Sequence, residues 1–171
     1  ISYMRSVFLN QESRNFETVD VNLAILNTIG LISSACNDED ILIESKLAEN
    51  LPKIHAQGLQ VEQVVLNLVQ NSIQALHGVK TKNKWIQIKT TKSKGGVQLT
   101  VTDSGIGLKD PVGRIFDPFF TTHEAGGGMG LGLCIVQNLI SSWNGKIKAT
   151  NRKKGGAVFT VDLPAIGAET K

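Results

Sequence analysis

Residues 103–133 read DSGIGLKDPVGRIFDPFFTTHEAGGGMGLGL, and this stretch decides the fold of the chain. Asp103 closes the strand-like run VQLTVTD, so its carboxylate is expected at a strand end. There it can accept a hydrogen bond from an exocyclic amine such as that of adenine. Gly105 and Gly107 follow closely and let the backbone approach a ligand. An acceptor at a strand end followed by two glycines predicts a nucleotide-binding loop.

A second glycine cluster, Gly126 to Gly132, leads from an aromatic-rich loop into the apolar run LGLCIVQNLISSW. The apolar residues of this run have helical spacing, so the glycines lead directly into a helix N-terminus. Free N–H groups and the helix dipole at such a terminus favour a phosphate group. The second cluster therefore predicts where the phosphates of the same nucleotide bind.

Two familiar phosphate-binding motifs are excluded. A P-loop requires Gly-Lys followed by Ser or Thr, but the only Gly-Lys pair, Gly145 and Lys146, precedes Ile147. A dinucleotide-binding fingerprint requires glycines at i, i+2 and i+5, and Leu131 or Leu133 occupies the last place in the possible registers. The glycines therefore belong to a different nucleotide fold.

The helical pattern at 59–76 carries the second group of chemical side chains. Its core face comprises Val61, Val64, Val65, Leu68, Ser72 and Ala75, and its polar stripe comprises Gln63, Asn67, Asn71 and Gln74. Because they are four residues apart, Asn67 and Asn71 project one above the other and can offer amide oxygens to a hydrated magnesium ion. Taken alone, such asparagines are more typical of a solvated helix face. The features of residues 103–133 favour the magnesium interpretation.

The composition is that of a globular domain: 171 residues, 41% hydrophobic and 19% charged, enough to bury one core. Without an apolar run of 18 residues or a signal-peptide pattern, we expect a cytoplasmic segment, and a membrane anchor elsewhere in a parent protein stays open. Cys36 and Cys134 fall in apolar helical patterns and are expected as buried free thiols. The net charge of +3, with lysines alternating along strands, indicates a solvated sheet face and not nucleic-acid binding.

Helix and strand patterns are mixed along the chain and predict an α+β fold. Helical patterns cover 23–36, 59–76 and 131–143, and strand patterns cover 41–47, 51–56, 85–92, 97–103, 145–151 and 157–164. Asp20 or Asn22 is a candidate N-cap for the first helix. Glycine-containing turns join the last four strands into two antiparallel hairpins. The architecture that fits these elements is a two-layer α/β sandwich.

Four segments resemble, in order, the sequence boxes of the GHKL ATPase superfamily, and in particular those of histidine kinase catalytic domains. QVVLNLVQNSIQAL resembles the N box, DSGIGL the first G box, IFDPFFTT the F box and GGGMGLGL the second G box. The F box is most similar to that of nitrogen- and oxygen-sensing kinases. The resemblance implies a mixed, mostly antiparallel sheet of about five strands with three helices on one face.

The resemblance also implies roles for individual residues. Asn71 would hold Mg²⁺, with Asn67 beside it in the catalytic pair, and Asp103 would bind the amino group of ATP. Phe116, Phe119 and Phe120, the phenylalanines of the F box, would anchor a lid over residues 104–128, and Lys109 and Arg114 would be cationic contacts. The residues expected to bind the nucleotide are Asn67, Asn71, Asp103, Gly105, Gly107, Arg114, Phe116, Thr121, Thr122, Gly128, Gly130, Leu131 and Gly132.

No histidine of the chain fits the phosphoacceptor of that family, which is followed by an acid on a dimerisation helix. His123 and Glu124 have that order but lie in the glycine-rich loop, and neither His55 nor His77 precedes an acid. We therefore expect the phosphoacceptor upstream of this chain.

The same resemblance implies the domain boundaries and the partners. Residues 1–15 would end a dimerisation helix, residues 16–164 would form the ATP-binding domain, and residues 165–171 would form a frayed tail. The partners would be the upstream dimerisation and phosphoacceptor domain, a response regulator and ATP, without nucleic acid. The full-length protein would be a homodimer.

The implied function is transfer of the γ-phosphoryl group of Mg-ATP to a histidine outside the chain, the activity of a protein histidine kinase. Two alternatives stay open: another GHKL ATPase or protein kinase, and an inactive module that only binds nucleotide. Hydrolysing relatives place a glutamate where this chain has Asn67, which argues against the first alternative. The four intact boxes argue against the second.

Overall fold

The structure is a computed structural model that describes residues 16–77, 79–80, 83–109, 112–120 and 130–168. Within these ranges the α-helices are α1 (Val21–Asp38), α2 (Gly58–His77) and α3 (Gly132–Ser142). The strands of the same ranges are β1 (Glu17–Val19), β2 (Ile41–Lys46), β3 (Ile54–Ala56), β4 (Lys84–Ser93), β5 (Gly96–Asp103), β6 (Lys146–Asn151) and β7 (Ala157–Pro164). A short 3-10 helix, Val112–Phe116, lies between β5 and α3.

Five strands form the main sheet in the order β2-β4-β5-β7-β6. β2 and β4 are parallel, and the other three neighbouring pairs are antiparallel. The helices pack on one another and on the apolar face of this sheet. The expected two-layer α+β sandwich with a mixed, mostly antiparallel sheet is therefore confirmed. β1 and β3 pair in a separate small sheet, which the sequence patterns do not predict.

Alternation along β5 determines which of its side chains face the helices. Leu99 and Val101 are at most 1% exposed, whereas Thr100 between them is half-buried on the other face. Because side chains alternate along a strand, Asp103 shares the inward direction of Val101. Strand periodicity thus directs a carboxylate into the layer between sheet and helices.

The opposite face of the sheet carries the lysines. Lys89 on β4, and Lys146 and Lys148 on β6, are exposed. The interpretation of the alternating lysines as a solvated sheet face agrees with this placement.

Asp20 caps the start of α1. Its Oδ1 atom accepts hydrogen bonds from the amides of Asn22 at 3.0 Å and Leu23 at 3.3 Å. Lys53 pairs with the same carboxylate, and its side-chain hydrogen bond is the main cause that lowers the pKa of Asp20. Of the two expected caps, Asp20 is therefore the one used. Asn22 instead donates to the carbonyl of Ala48 at 2.8 Å.

The core face of α2 differs from the expected one at its C-terminal end. Leu76 is fully buried, whereas Ala75 is half-buried and faces a cavity. Helical spacing alone does not explain the difference, because Ala75 lies seven residues after the buried Leu68. Ala75 differs because the loop after β5 packs beside it and it borders the cavity. A similar correction applies to the thiols: Cys36 is buried, but Cys134 is only half-buried in the first turn of α3.

The chain beyond β7 remains attached to the domain through residue 168. The amide of Ala165 donates to the carbonyl of Gly95 at 2.8 Å, and the amide of Ile166 donates to that of Lys53 at 3.0 Å. Residues 165 and 166 are therefore hydrogen-bonded to the domain, Ala165 to the turn before β5 and Ile166 to the residue before β3. The expected dimerisation helix at 1–15 lies outside the described residues. Within the described ranges, none of the helices has the length and hydropathy that a membrane span requires.

Candidate nucleotide-binding site

A cavity of about 330 Å³ lies between α2, the loop that follows β5 and the start of α3. Its polar and charged lining residues are Asn67, Gln70, Asn71, Gln74, Asp103 and Lys109. Its remaining lining residues are Ala75, Ile106, Gly107, Leu108, Ile115, Phe120, Gly130, Leu131, Gly132, Leu133, Ile135, Ala157 and Phe159. The cavity thus combines apolar walls with a few polar groups, which is typical of sites for small molecules.

Asp103 is 1% exposed and lies in the cavity wall. Its Oδ1 atom accepts hydrogen bonds from the amides of Gly105 at 2.8 Å and Ala157 at 3.1 Å. Oδ2 receives only the Ser72 hydroxyl, at 3.4 Å, among the described residues. Burial is the main cause that raises the pKa of Asp103, and the two amides, Ser72 and the charge of Arg152 oppose it. Oδ2 is therefore the atom free to accept from a ligand amine.

The loop after Asp103 packs directly on α2. The amide of Ile106 donates to the carbonyl of Ala75 at 3.1 Å. A Cβ atom added to Gly105 would lie 2.7 Å from the Cβ of Ala75, closer than real Cβ contacts allow. Glycine at 105 is therefore needed for this approach, which holds the loop beside the Asp103 carboxylate.

Asn67 and Asn71, which are one helical turn apart in the polar stripe of α2, both line the cavity. The Asn71 Nδ2 atom donates to the carbonyl of Asn67 at 2.7 Å, which fixes the amide plane of Asn71. Its Oδ1 atom is then the acceptor left for a ligand. A Cβ atom added to Gly132, the first residue of α3, would lie 3.4 Å from Oδ1 of Asn67 and 3.8 Å from Nδ2 of Asn71. The start of α3 is therefore adjacent to both amides.

The N-terminus of α3 is suited to an anion. Leu131 occupies the N-cap position, and within the described residues no side-chain hydrogen bond caps this end of the helix. The first amides of α3 therefore keep their need for acceptors, and the helix dipole favours a negative charge there. Gly130, Leu131 and Gly132 all line the cavity, so this helix end opens into it.

The phenylalanines of the 115–122 segment have two different environments. Phe116 and Phe120 pack against the core, whereas Phe119 is 59% exposed and has a left-handed backbone with φ of 65°. The Phe119 amide donates to the carbonyl of Gly130 at 3.0 Å. Two phenylalanines therefore serve as anchors, and a backbone bond joins this segment to the start of α3.

Arg114 does not reach the cavity. Its Nε atom is 3.4 Å from a carboxylate oxygen of Asp117, and its guanidinium carbon is 5.3 Å from the centroid of the Phe120 ring. Arg114 is therefore not among the residues that line the cavity. The cationic side chain in the lining is that of Lys109. The expectation of a phosphate contact from Arg114 therefore finds no support in its placement.

The structure brings together seven of the expected nucleotide-binding residues. Those that line the cavity are Asn67, Asn71, Asp103, Gly107, Gly130, Leu131 and Gly132. Gly105, Arg114 and Phe116 do not line the cavity. Gly105 instead supports the site through the hydrogen bond that its amide donates to Asp103. The expected contacts of Thr121, Thr122 and Gly128 lie outside the described residues, as do residues 110, 111 and 121–128 of the expected lid.

Several lining residues are absent from the sequence prediction. Gln74 already belongs to the predicted polar stripe of α2 but was not assigned to the site, and Gln70, three residues after Asn67, could have been included by helical spacing. Ala157 and Phe159 belong to β7, and no local pattern predicts their position because it depends on the pairing of β7 with β5. Their inclusion required the order of strands in the sheet.

The donors at the asparagine pair are suited to a magnesium ion that arrives with a nucleotide. The candidate ligands are neutral amide oxygens, and no group of three acidic, histidine or cysteine side chains occurs in the described ranges. Mg²⁺ commonly binds to few protein oxygens and completes its shell with waters and phosphate oxygens. The donor set therefore fits Mg²⁺ in the company of phosphates.

A polar helix stripe, a buried strand-end aspartate and a helix N-terminus meet around one cavity of a two-layer sandwich, and together they define a nucleotide-binding domain. Residues 56–166 match the family described as histidine kinase-, DNA gyrase B-, and HSP90-like ATPase, and the chain belongs to this family. ATP binding follows from this membership.

The relatives narrow the class to histidine kinase catalytic domains. The chain is 36% identical over 151 residues to the sensor histidine kinase ZraS of Escherichia coli (strain K12). The matched region covers 86% of this chain and 31% of ZraS. Its fold matches the nucleotide-free catalytic domain of histidine kinase ThkA with a TM-score of 0.76 and 30% identity, over 88% of this chain and 95% of that one.

A further match is the structure of histidine kinase ThkA in complex with response regulator protein TrrA, with a TM-score of 0.75 and 26% identity. It covers 95% of this chain and 46% of that one. The chain therefore has the fold of a histidine kinase catalytic domain, and it spans 31% of the length of ZraS.

Proposed function

We propose that this chain is the ATP-binding catalytic domain of a sensor histidine kinase and delivers the γ-phosphoryl group of Mg-ATP to a histidine outside it. The observation that carries the proposal is the space at Gly132, where an added Cβ atom would lie 3.4 Å from Oδ1 of Asn67 and 3.8 Å from Nδ2 of Asn71. It puts a helix end that favours phosphate beside two amides that suit Mg²⁺. Asp103 provides the adenine acceptor in the same cavity.

Each of these residues then has a defined task. Oδ2 of Asp103 accepts a hydrogen bond from the adenine amino group, and Oδ1 of Asn71 contacts the metal, with Asn67 beside it. The amides at the start of α3 receive phosphate oxygens. Mg²⁺, when bound with ATP, neutralises part of the phosphate charge. Catalysis would rest on positioning and charge stabilisation, as is usual for phosphoryl transfer.

Among the described residues, the cavity lining offers no free base for activating water. Asp103 is the only carboxylate among its lining residues in the described part of the chain, and its Oδ1 atom is occupied by two amides. Asn67 carries a neutral amide at the place where hydrolysing relatives have a glutamate. Loss of general-base help alone typically lowers a rate about 10²- to 10⁴-fold. This arrangement favours transfer to a supplied histidine over hydrolysis.

The proposal extends to domains and partners. Residues 16–164 form the catalytic domain with a lid at 104–128, and residues 1–15 end an upstream dimerisation helix of a homodimeric kinase. A response regulator is the proposed recipient of the phosphoryl group, and the complex of the relative ThkA with TrrA supports this. We place the reaction in the cytoplasm because that compartment supplies ATP.

Labelling with γ-labelled ATP tests the proposal. With Mg²⁺, this chain alone should release little phosphate and acquire no label. A separate polypeptide that carries a dimerisation helix with a His-Glu or His-Asp pair should acquire acid-labile label when this chain is added. Asn71→Ala should abolish that transfer. Hydrolysis by this chain alone at ordinary enzyme rates, about 1 to 10³ per second, would instead establish the ATPase alternative.

A further inference from the structure

The turn between β6 and β7 packs behind Asp103 and holds it through Arg152. One guanidinium nitrogen of Arg152 donates to the carbonyl of Asp103 at 3.1 Å and to the carbonyl of Gly155 at 2.8 Å. The guanidinium carbon lies 4.6 Å from the centroid of the Trp85 ring, within the range of a cation–π contact. The half-buried guanidinium is therefore fixed by an aromatic ring and by two carbonyls.

The position of this bond follows from where the strand pairing ends. The last paired residues of β5 and β7 are Thr102 and Val158. The next amide of β7, that of Ala157, donates to the side-chain Oδ1 atom of Asp103 at 3.1 Å and not to the backbone. The carbonyl of Asp103 thus lies one residue beyond the ladder, and Arg152 provides the donor there.

Contact between the turn and Asp103 is unusually close. The backbone of Gly156 has φ of 86°, and a Cβ atom added to it would lie 2.0 Å from the Asp103 carbonyl oxygen. The amide of Arg152 donates to the carbonyl of Gly156 at 2.9 Å and closes the turn. Only glycine at 156 permits this approach, so the turn and the end of β5 are packed backbone to backbone.

Asn151, the residue before Arg152, fastens the same turn to the loop beyond Asp103. Its Oδ1 atom accepts from the amide of Leu108 at 2.6 Å, and its Nδ2 atom donates to the Leu108 carbonyl at 2.9 Å. Leu108 lines the cavity. Arg152 and Asn151 therefore fasten both ends of the loop 103–108, one at Asp103 and the other at Leu108.

We propose that Arg152 is a positioning residue for adenine recognition, which acts by fixing the backbone of Asp103 and thereby the direction of its Oδ2 atom. The proposal rests on the proposed role of Asp103. Hydrogen bonds weaken steeply when their angle deteriorates, so a small rotation of Asp103 would weaken the bond to the adenine amine. Arg152 lies outside all four sequence boxes, and it contacts Asp103 without lining the cavity.

The test compares ATP with purine riboside triphosphate, which lacks the 6-amino group, by titration calorimetry. The ratio of the two affinities reports the bond to Asp103 and little else. In Arg152→Ala the ratio should fall about 3- to 10-fold, mainly through weaker ATP binding. Lys153→Ala is the matched control, because Lys153 is exposed on the same turn and its loss changes the net charge equally. It should leave the ratio unchanged.

A second variant separates positioning from general damage to the fold. Arg152→Lys keeps the charge but lacks the planar fork, so its ratio should lie between those of the wild type and Arg152→Ala. The amide of Gly105 donates to Oδ1 of Asp103. Its proton NMR chemical shift in the nucleotide-free protein should therefore change in both variants. Should Arg152→Ala fail to fold, the Arg152→Lys ratio and this shift carry the test.

The outcomes distinguish this inference from the proposed function. A wild-type protein that prefers ATP, together with an Arg152→Ala variant of unchanged ratio, would overturn the role of Arg152 alone. Equal losses of both nucleotides in Arg152→Ala would show a merely structural role and overturn it as well. A wild-type protein that binds both nucleotides equally would remove the adenine role of Asp103, and the inference would fall with it.

Discussion

The hydroxyl of Ser72 lies 3.4 Å from Oδ2 of Asp103, and this contact joins the helix layer to the end of β5. Ser72 also donates to the carbonyl of Leu68 at 3.2 Å. Since a hydroxyl has a single proton, the two acceptors share it. Oδ2 of a nearly fully buried carboxylate therefore keeps an unmet need for a donor, which an adenine amine can supply.

Asp103→Asn should weaken ATP binding roughly 10- to 100-fold, because it removes the charge from the acceptor of the proposed amine bond. GTP should bind the wild type far more weakly than ATP does. The matched control is Asp162→Asn on the opposite face of the sheet, where Asp162 accepts from Gln98 at 2.8 Å. Calorimetry should find its ATP affinity normal. Unchanged ATP affinity in Asp103→Asn would exclude the adenine role.

The stability of the protein should respond to the titration of Asp103. Because burial raises its pKa, the folded protein keeps this proton at pH values where the unfolded chain has lost it. The resulting stability is complete below the unfolded pKa and is lost as pH rises through the folded one. The free energy of unfolding of Asp103→Asn should therefore increase relative to that of the wild type as pH rises. Urea titrations between roughly pH 4 and 8 measure this difference, and the opposite trend would contradict it.

Asn71→Ala should weaken binding of Mg-ATP on the order of 10-fold more than binding of metal-free ATP, since its amide oxygen is proposed to meet the ion. Asn67→Ala should show a smaller difference. Gln63→Ala is the control, because Gln63 is exposed on the same helix and does not line the cavity. Titrations with and without magnesium decide the matter: equal losses in the two series would exclude Asn71 as a ligand.

Asp20→Ala should lower the free energy of unfolding by about 1 kcal/mol at neutral pH through loss of the α1 cap. Asp20→Asn should lose less, because its side-chain oxygen can still cap. The pKa of Asp20 is lowered by Lys53, so its contribution is present above the unfolded pKa and lost as pH falls through the folded one. Chemical denaturation at neutral and acidic pH should show the gap between wild type and Asp20→Ala closing in acid. A gap independent of pH would assign the effect to the capping oxygen alone, without a contribution from the charge of Asp20.

Local patterns were sufficient for the elements and for part of the site. Alternation along β5 places Asp103 inward, and the four-residue spacing of Asn67 and Asn71 puts them on one stripe of α2. Both depend on the periodicity of a single element, and that periodicity is written in consecutive residues. The glycines before α3 predict a helix end for the same reason.

Contacts between distant segments could not be predicted in this way. Arg114 was expected at the phosphates, whereas its described neighbours are Asp117 and Phe120, and nothing in the spacing of these residues ranks one partner above another. Ala75 was expected in the core, and the packing of α2 against the loop turns it toward the cavity. Such choices depend on which surfaces meet.

Consecutive residues were enough to predict the class of fold, an aspartate at a strand end and the asparagine stripe, because each rests on periodicity or on glycine conformation within a few residues. Only the tertiary structure decided that β7 lies beside β5 and that the turn before β7 therefore supports Asp103. Arg152 is 49 residues from Asp103 along the chain. Strand order is set by the burial of whole faces against the helices, so no short segment records it.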